Sequence, residues 1–250
     1  MAALLLVHGI GEHSGRYEQV GMALSDAGID VLAYDQRGFG QSGGRRAFVT
    51  TFDDYVDDLI EMLEARRSLG VPVVVLGHSL GGLIVARALS SGRVHPDLAV
   101  LSAPALAAEI PGWQRVLAPV LGRGLPKLFV PAKLDGELLS RDPEVQRRYV
   151  DDPLVIAGAT AGLGQEILRT MEETSAAIDR ISVPTYVLHG EADRLVPLRA
   201  SDGLAALPNV ERRVWKGLRH ECFNEPEHKA VIAEMIEWIL ASVAQAGSST

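Results

Sequence analysis

The pentapeptide at residues 77–81, Gly-His-Ser-Leu-Gly, stands between two segments of different character. Residues 71–76 before it form an apolar, valine-rich run, and residues 82–89 after it have the composition of a helix. A serine at the tip of a tight strand-to-helix turn has a strained backbone, and small residues two before and two after it let the strand and helix approach. Gly77 and Gly81 meet that need, so the segment predicts a nucleophile elbow with Ser79 at its tip.

A second match to the same pattern occurs at residues 40–44, Gly-Gln-Ser-Gly-Gly. Ser42 lies several residues beyond the apolar run 30–34, and the Gly-Gly-Arg-Arg that follows it has no apolar helical period. We therefore interpret Ser42 as a loop serine and Ser79 as the nucleophile.

Short apolar runs alternate along the chain with amphipathic helical segments. The runs lie at residues 3–7, 30–34, 71–76, 97–101, 183–188 and 210–215. This alternation is typical of a parallel sheet with crossover helices. Together with the elbow it predicts an α/β-hydrolase fold, with a mostly parallel sheet of about six strands and flanking helices, in one domain that spans residues 1–250.

About eighty residues separate the run that ends at Leu101 from the run that begins at Val183, far more than one crossover helix needs. The first part of this stretch mixes prolines with large apolar residues, which predicts short helices and bends. We predict a cap or lid insertion over the elbow at about residues 105–165. An inert excursion packed on the core is the alternative.

A serine hydroxyl needs an adjacent base, and a carboxylate orients that base. In this fold the chain order is serine, acid, histidine. His220 follows the run 210–215, where a strand end would present it to the elbow, whereas His228 falls in the last helical segment. The sequence therefore favours His220 as the base.

The acid should lie just after a strand, and residues 189–193, His-Gly-Glu-Ala-Asp, follow the run 183–188. We assign Asp193 as the acid. Glu191 is closer to the strand and is interpreted as a loop-shaping residue, and Asp202 as a solvated residue of the next helix. His189 ends a buried strand and is interpreted as a packed or hydrogen-bonded structural residue.

A tetrahedral oxyanion needs two donors, and this fold takes them from backbone N–H groups. The residue after the nucleophile, Leu80, is the first. The second should come from the glycine-containing loop at residues 8–11, where Ile10 is the best single assignment. Cys222 lies two residues past His220 and is interpreted as a loop thiol rather than a nucleophile.

Composition excludes several other classes of protein. A formal charge of -8 and a pI near 5.4 argue against nucleic acid as a partner, because that needs a basic patch. A single cysteine cannot form an internal disulfide, which favours a cytoplasmic setting. The N-terminus lacks the basic region of a signal peptide, and no apolar run approaches the length of a membrane span.

Six blocks together resemble the monoacylglycerol lipase family of α/β-hydrolases, especially its bacterial members, and they span nearly the whole chain. They are residues 8–17 (HGIGEHSGRY), 35–42 (DQRGFGQS), 77–82 (GHSLGG), 101–104 (LSAP), 189–196 (HGEADRLV) and 218–221 (LRHE). The first is the most specific, because general hydrolases of this fold keep His-Gly but rarely the residues that follow it here.

The resemblance implies hydrolysis of a monoacylglycerol to glycerol and a fatty acid, with Ser79, Asp193 and His220 as the triad and no metal or organic cofactor. It also implies an apolar tunnel for the acyl chain and a cap that contacts a membrane or micelle, hence a cytoplasmic enzyme with peripheral membrane association. Glu12 and Arg16 resemble the family's residues near the glycerol headgroup, and a structural ion pair that holds the loop is the alternative.

The chain departs from the family at its start, because the family usually has two strands before the one that leads to residues 8–11. We expect those two strands to be absent, which would leave residues 31–34 at an open sheet edge and favour a homodimer. The alternative activities are a broader carboxylesterase, a lysophospholipase or a thioesterase with the same triad. A non-catalytic lipid-binding protein on a hydrolase scaffold is the alternative from a different class.

Overall fold

The computed structural model describes residues 1–109, 112–132 and 134–247. Its strands are β1 (Ala2–Val7), β2 (Ile29–Tyr34), β3 (Val73–His78), β4 (Leu98–Ser102), β5 (Phe129–Pro131), β6 (Gly158–Thr160), β7 (Thr185–Gly190) and β8 (Val210–Trp215). Its α-helices are α1 (Glu18–Asp26), α2 (Asp53–Arg67), α3 (Leu80–Ser90), α4 (Gly112–Gly124), α5 (Pro143–Asp151), α6 (Ala161–Ala176), α7 (Asp202–Ala205) and α8 (His228–Gly247).

Six strands form one parallel sheet in the order β2-β1-β3-β4-β7-β8. The sequence prediction of a parallel sheet of about six strands with flanking helices is confirmed, with each predicted run corresponding to one strand. Because all six strands run the same way, their carboxyl ends meet at one edge, where the loops after β1, β3, β7 and β8 come together.

Helices cover both faces of the sheet. This burial on both sides explains why the sequence of β1 is apolar without interruption. Leu5 and Val7 pack in the core on the side of α2, α3 and α6, whereas Leu4 and Leu6 pack on the side of α1 and α8. Successive side chains of a strand point to opposite faces, so a strand buried on both faces needs apolar residues at every position.

The strand β2 forms one edge of the sheet. Within the described residues no strand pairs with its outer side, and its residues from Val31 to Tyr34 are only partly buried. A partly buried edge strand presents unpaired backbone N–H and C=O groups.

The segment between β4 and β7 carries α4, α5 and α6 and the short antiparallel pair of β5 with β6. The predicted cap at residues 105–165 falls in this segment, and residues 110, 111 and 133 lie outside the described part. Its predicted end at 165 lies inside α6, which begins at Ala161, where Thr160 accepts the Leu163 N–H as a helix cap. Leu163 and Met171 of α6 pack in the main core, so this helix joins the insertion to the sheet.

Candidate active site

The segment predicted as an elbow lies where β3 ends and α3 begins. Ser79 has φ 52° and ψ -113°, a conformation that residues other than glycine rarely adopt. A Cβ on Gly77 would lie closer than 3.0 Å to the Gly81 backbone, and one on Gly81 would lie equally close to Val7 O. The two glycines therefore let β1, β3 and α3 approach closely enough to present Ser79.

The second pattern match has a different environment. The Ser42 hydroxyl donates to Asp35 O at 2.5 Å, and the Ser42 N–H donates to Phe39 O. Ser42 thus stabilises a turn, as a loop serine would, and it does not line the pocket at Ser79.

His220 and Asp193 form a buried pair. His220 Nδ1 donates to Asp193 Oδ2 at 2.7 Å, and Asp193 Oδ1 accepts the backbone N–H groups of Leu195 (2.8 Å) and Val196 (2.9 Å). Both side chains are almost fully buried. The paired imidazole is thereby fixed with its Nε2 free of any protein partner within the described residues.

Electrostatics in this pair favours a basic imidazole. Burial opposes a charge on His220, but the Asp193 carboxylate, its hydrogen bond, and the nearby Glu221 and Glu12 outweigh burial and raise the pKa of His220. Burial likewise works against the charge of Asp193, yet the two imidazoles and backbone N–H groups around it hold the pKa of that carboxyl well below its usual range.

Ser79 and His220 line the same pocket, a cavity of about 180 Å³ at the carboxyl end of the sheet. No hydrogen bond joins the Ser79 hydroxyl to His220 among the described residues. Catalytic hydrogen bonds are often long or misaligned without substrate. The missing bond therefore does not argue against Ser79 and His220 as a nucleophile and its base, since both line one pocket and the imidazole is held in place.

The alternative acids and base lie elsewhere. Glu191 accepts the Gly217 N–H at 3.2 Å, and Asp202 pairs with Arg212 at 2.6 Å. His228 begins α8, where its Nδ1 donates to Glu225 O at 2.8 Å. None of these three side chains lines the pocket.

The two residues predicted to donate to an oxyanion both belong to the pocket. Ile10 and Leu80 both line the pocket, and within the described residues neither N–H donates to another group. Leu80 is the first residue of α3, where the helix dipole favours negative charge. This arrangement suits the oxyanion role that the sequence predicts for these two residues.

The loop that carries Ile10 is held from several sides. His8 Nε2 accepts the Gln36 N–H at 2.9 Å, so its Nδ1 carries the proton and donates to Gly9 O at 2.7 Å. The Gly9 N–H in turn donates to Glu12 Oε1 at 2.6 Å. The loop is therefore fixed before any substrate binds.

Glu12 and Arg16 belong to a buried ion cluster beside the pocket. Arg16 donates to Glu12 at 2.6 Å and, through both terminal nitrogens, to Glu221 at 2.6 and 2.8 Å. The Tyr17 hydroxyl donates to Glu12 at 2.6 Å, and the Arg16 guanidinium lies 4.9 Å from the centre of the Tyr149 ring. The ion pair that the sequence left as an alternative is present, and both of its members also line the pocket.

Sequence reasoning missed two members of this site. Glu221 directly follows His220, and that adjacency was the available signal for it. Tyr149 comes from α5 of the insertion, and nothing local in the sequence links it to Arg16.

Two further groups near His220 are poorly suited to chemistry. Burial, with a smaller contribution from His220, lowers the pKa of His78 to about 3, so this imidazole is neutral. Burial and, to a lesser degree, Asp193 raise the pKa of the Cys222 thiol far above its usual range. A buried thiol without thiolate character is a poor nucleophile.

Two features of the described residues bear on other classes of function. These residues include no group of three or more histidine, cysteine, aspartate or glutamate side chains that could bind a metal ion. None of their helices is long and apolar enough to cross a membrane.

Comparison with known proteins gives a consistent set of relatives. The family described as serine aminopeptidase, S33, matches residues 1–227. A monoacylglycerol lipase of Mycolicibacterium smegmatis is 38% identical, over 95% of this chain and 88% of its own length. The monoglyceride lipase of Homo sapiens is 31% identical, over 100% of this chain and 86% of its own length.

Among solved structures, the monoacylglycerol lipase of Paleococcus ferrophilus superposes with a TM-score of 0.88. It is 34% identical, and the match covers 96% of this chain and 94% of that one. The likeness therefore extends through the insertion as well as the sheet.

The close approach at the elbow predicts a large effect of a single methyl group. We expect Gly81→Ala to lower the free energy of unfolding by about 3 kcal/mol or more, because the added Cβ meets backbone atoms that cannot move aside. Urea unfolding measures the change.

Gly21→Ala is the matched control, because Gly21 also lies in a helix but has open space around its Cβ position. There we expect a gain of about 0.5–1 kcal/mol. Equal stability of the two variants would contradict the crowding argument.

Proposed function

The chain belongs to the monoacylglycerol lipase family of α/β-hydrolases, and from that premise we propose that it hydrolyses monoacylglycerols to glycerol and free fatty acids through an acyl-enzyme on Ser79. One observation carries the proposal. Ser79, in its strained turn, shares a pocket with His220, and the Asp193 carboxylate lies 2.7 Å behind that imidazole.

In the proposed mechanism the Ser79 hydroxyl attacks the ester carbonyl while His220 Nε2 accepts its proton. The Ile10 and Leu80 N–H groups donate to the oxyanion that forms. His220 then protonates the departing glycerol oxygen. Water attacks the acyl-enzyme by the reverse sequence, with His220 again as base, and releases the fatty acid.

The lining of the pocket combines two kinds of residue, which supports an orientation for the substrate. Glu12, Arg16 and Glu221 are charged, whereas Ile167 and Met171 of α6 are apolar. We place the glycerol hydroxyls against the ion cluster and the acyl chain against the insertion.

A second, apolar cavity of about 450 Å³ adjoins the first, and Ala108, Ile167 and Met171 line both. Each methylene buried there would contribute about 0.8 kcal/mol. We propose that this cavity, called the acyl chamber below, receives the distal part of the chain.

The insertion also exposes large apolar side chains to solvent. They are Val120, Leu125, Leu128, Phe129 and Val130. An apolar surface of this kind next to a lipid-binding cavity suits contact with the micelle or membrane that holds the substrate, and we propose that contact.

Removal of the nucleophile gives the primary test. We expect Ser79→Ala to lose fluorophosphonate labelling and to lower monoacylglycerol turnover by at least about a thousandfold. Ser42→Ala, the matched control at the other pattern match, should keep both. Labelling of Ser79→Ala at the wild-type level would overturn the assignment.

The substrate is tested on the wild-type enzyme. We expect turnover of monoacylglycerols to exceed that of di- and triacylglycerols, and to rise when the substrate forms micelles. Preference for triacylglycerols would contradict the proposal. If short p-nitrophenyl esters, lysophospholipids or acyl thioesters are turned over as fast as monoacylglycerols, the protein is a broader esterase instead. If the wild-type protein is not labelled by a fluorophosphonate at all, a non-catalytic binding protein is favoured.

The pH dependence follows from the surroundings of His220. The base acts as neutral imidazole, so kcat/KM should rise through a pKa above the ordinary 6.5 of histidine. We expect Glu221→Gln to lower this midpoint by about half a unit, because it removes a negative charge that stabilises the imidazolium. A soluble ester assayed across the pH range gives both midpoints, and a wild-type midpoint below 6.5 would contradict the charge argument.

The acyl chamber is tested at Gly164, the fourth residue of α6, which lines it and has no atom within 4 Å of its Cβ position. We expect Gly164→Leu to lower kcat/KM for long-chain monoacylglycerols by about tenfold or more relative to short-chain ones, since the new side chain displaces buried methylenes. Gly21→Leu, at the fourth residue of α1, is the matched control. A uniform change across chain lengths would show that the chain does not enter the chamber.

A further inference from the structure

His189, the penultimate residue of β7, reaches the same carboxylate oxygen that His220 uses. Its Nε2 lies 3.3 Å from Asp193 Oδ2 and 3.0 Å from Val196 O. Both of these atoms only accept hydrogen bonds, so Nε2 must carry a proton and donate to them. His189 is fully buried, so water does not replace this donor.

The other ring nitrogen of His189, Nδ1, lies next to Ser201. His189 Nδ1 lies 3.2 Å from Ser201 Oγ, and Arg212 donates to that oxygen at 3.1 Å. The single proton of the Ser201 hydroxyl has a second acceptor in Leu198 O at 2.9 Å. The tautomer of His189 is therefore set by the two acceptors at Nε2, and Ser201 holds the other side of the ring.

The carboxylate of Asp193 needs such a donor. The N–H groups of Leu195 and Val196 both bind Oδ1, so Oδ2 is held only by the two imidazoles, His220 and His189, among the described residues. His220 comes from a loop, whereas His189 comes from a central strand of the sheet. A donor on Oδ2 from the strand fixes the direction in which that oxygen faces His220.

We propose that His189 is a positioning residue for Asp193, which adds to the triad a fourth residue that is anchored in β7 and contacts the carboxylate oxygen used by His220. The inference rests on the proposed function in taking Ser79, His220 and Asp193 as the reacting groups. Beyond that proposed function, His189 gains a role in the activation of Ser79, in addition to its structural role in the core.

The proposal has a consequence for the pKa of His220. The groups that face His220 are Asp193, Glu221, Glu12 and the neutral His78. Without the His189 donor, negative charge on Asp193 Oδ2 is shared with His220 alone, so the imidazolium is stabilised more strongly. The acid limb of Ser79 reactivity should therefore move to higher pH, while misalignment lowers the maximum rate.

The test compares two amides at position 189 in the full chain. The amide nitrogen of His189→Gln can occupy the place of Nε2, whereas that of His189→Asn reaches only the place of Nδ1. The readout is the rate of Ser79 labelling by a fluorophosphonate as a function of pH, with thermal unfolding to verify the fold. Labelling does not depend on the acyl substrate, so failure of the monoacylglycerol proposal is distinguishable from failure of this one.

We expect H189N to label about tenfold more slowly, the loss expected for one hydrogen bond to a charged group, and to shift the midpoint upward by about half a unit. H189Q should keep both near wild type. A folded H189N with wild-type rate and midpoint, or with a downward shift, overturns the proposal. If H189N does not fold, a tenfold loss in folded H189Q overturns it and wild-type behaviour of H189Q upholds it.

Discussion

The site depends on one close approach of backbones, where the first turn of α3 lies against the end of β1. Gly81 has no room for a Cβ because Val7 O and His8 O occupy that space. The contact places Leu80, the first residue of α3, next to the loop after β1, so a single packing constraint positions both of the residues that we propose as oxyanion donors. The strain at Ser79, of order 1–3 kcal/mol, is held by the surrounding sheet.

Charge around the pocket is arranged so that His220 is basic although it is buried. Asp193, Glu221 and Glu12 contribute negative charge, and Arg16 alone among the described lining residues contributes a fixed positive one. Arg16 pairs with both glutamates. Burial alone would raise the pKa of Glu12, but the Arg16 charge and the hydrogen bonds around this carboxyl lower it. The same cluster thus holds the loop at Glu12, tunes the base and presents polar atoms to the pocket.

The sequence predicted those parts of the site whose signals are local. Ser79 stands in a strand-turn-helix context, Asp193 and His220 each follow a strand, and Ile10 lies in a glycine-containing loop, so their placement at one sheet edge follows from parallel topology. The fold and family are confirmed, while the catalytic roles of these residues stay predictions until they are tested.

What the sequence did not reveal depends on tertiary contacts. Tyr149 contacts Arg16 across more than a hundred residues of chain. His189 was interpreted as a packed or hydrogen-bonded structural residue, and its partner Asp193 could not be named because the contact depends on the path of the loop after β7. The boundary drawn at 165 lay inside α6 because the cap residue Thr160 was not recognised. In each case the missing information was a contact or a cap rather than a pattern.

The core and the insertion contribute different parts of the pocket, so substitutions in the two regions affect different properties of the enzyme. Loops at the sheet edge supply Ser79, His220, Asp193 and most of the ion cluster, whereas α4, α6 and the β5–β6 pair supply the walls of the acyl chamber. Under the proposed binding mode, a substitution in those walls changes how many methylenes of the acyl chain are buried, at about 0.8 kcal/mol each. The positions of Ser79, His220 and Asp193 are set by the sheet instead. The insertion also contacts the loops at the sheet edge. Tyr149 packs on Arg16, the Ile156 N–H donates to Gly11 O at 2.8 Å, and the Glu221 N–H donates to Leu139 O at 2.9 Å. A movement of the insertion would reach the ion cluster and the loops beside Ser79 and His220 through these contacts, so chain selection and chemistry are coupled there.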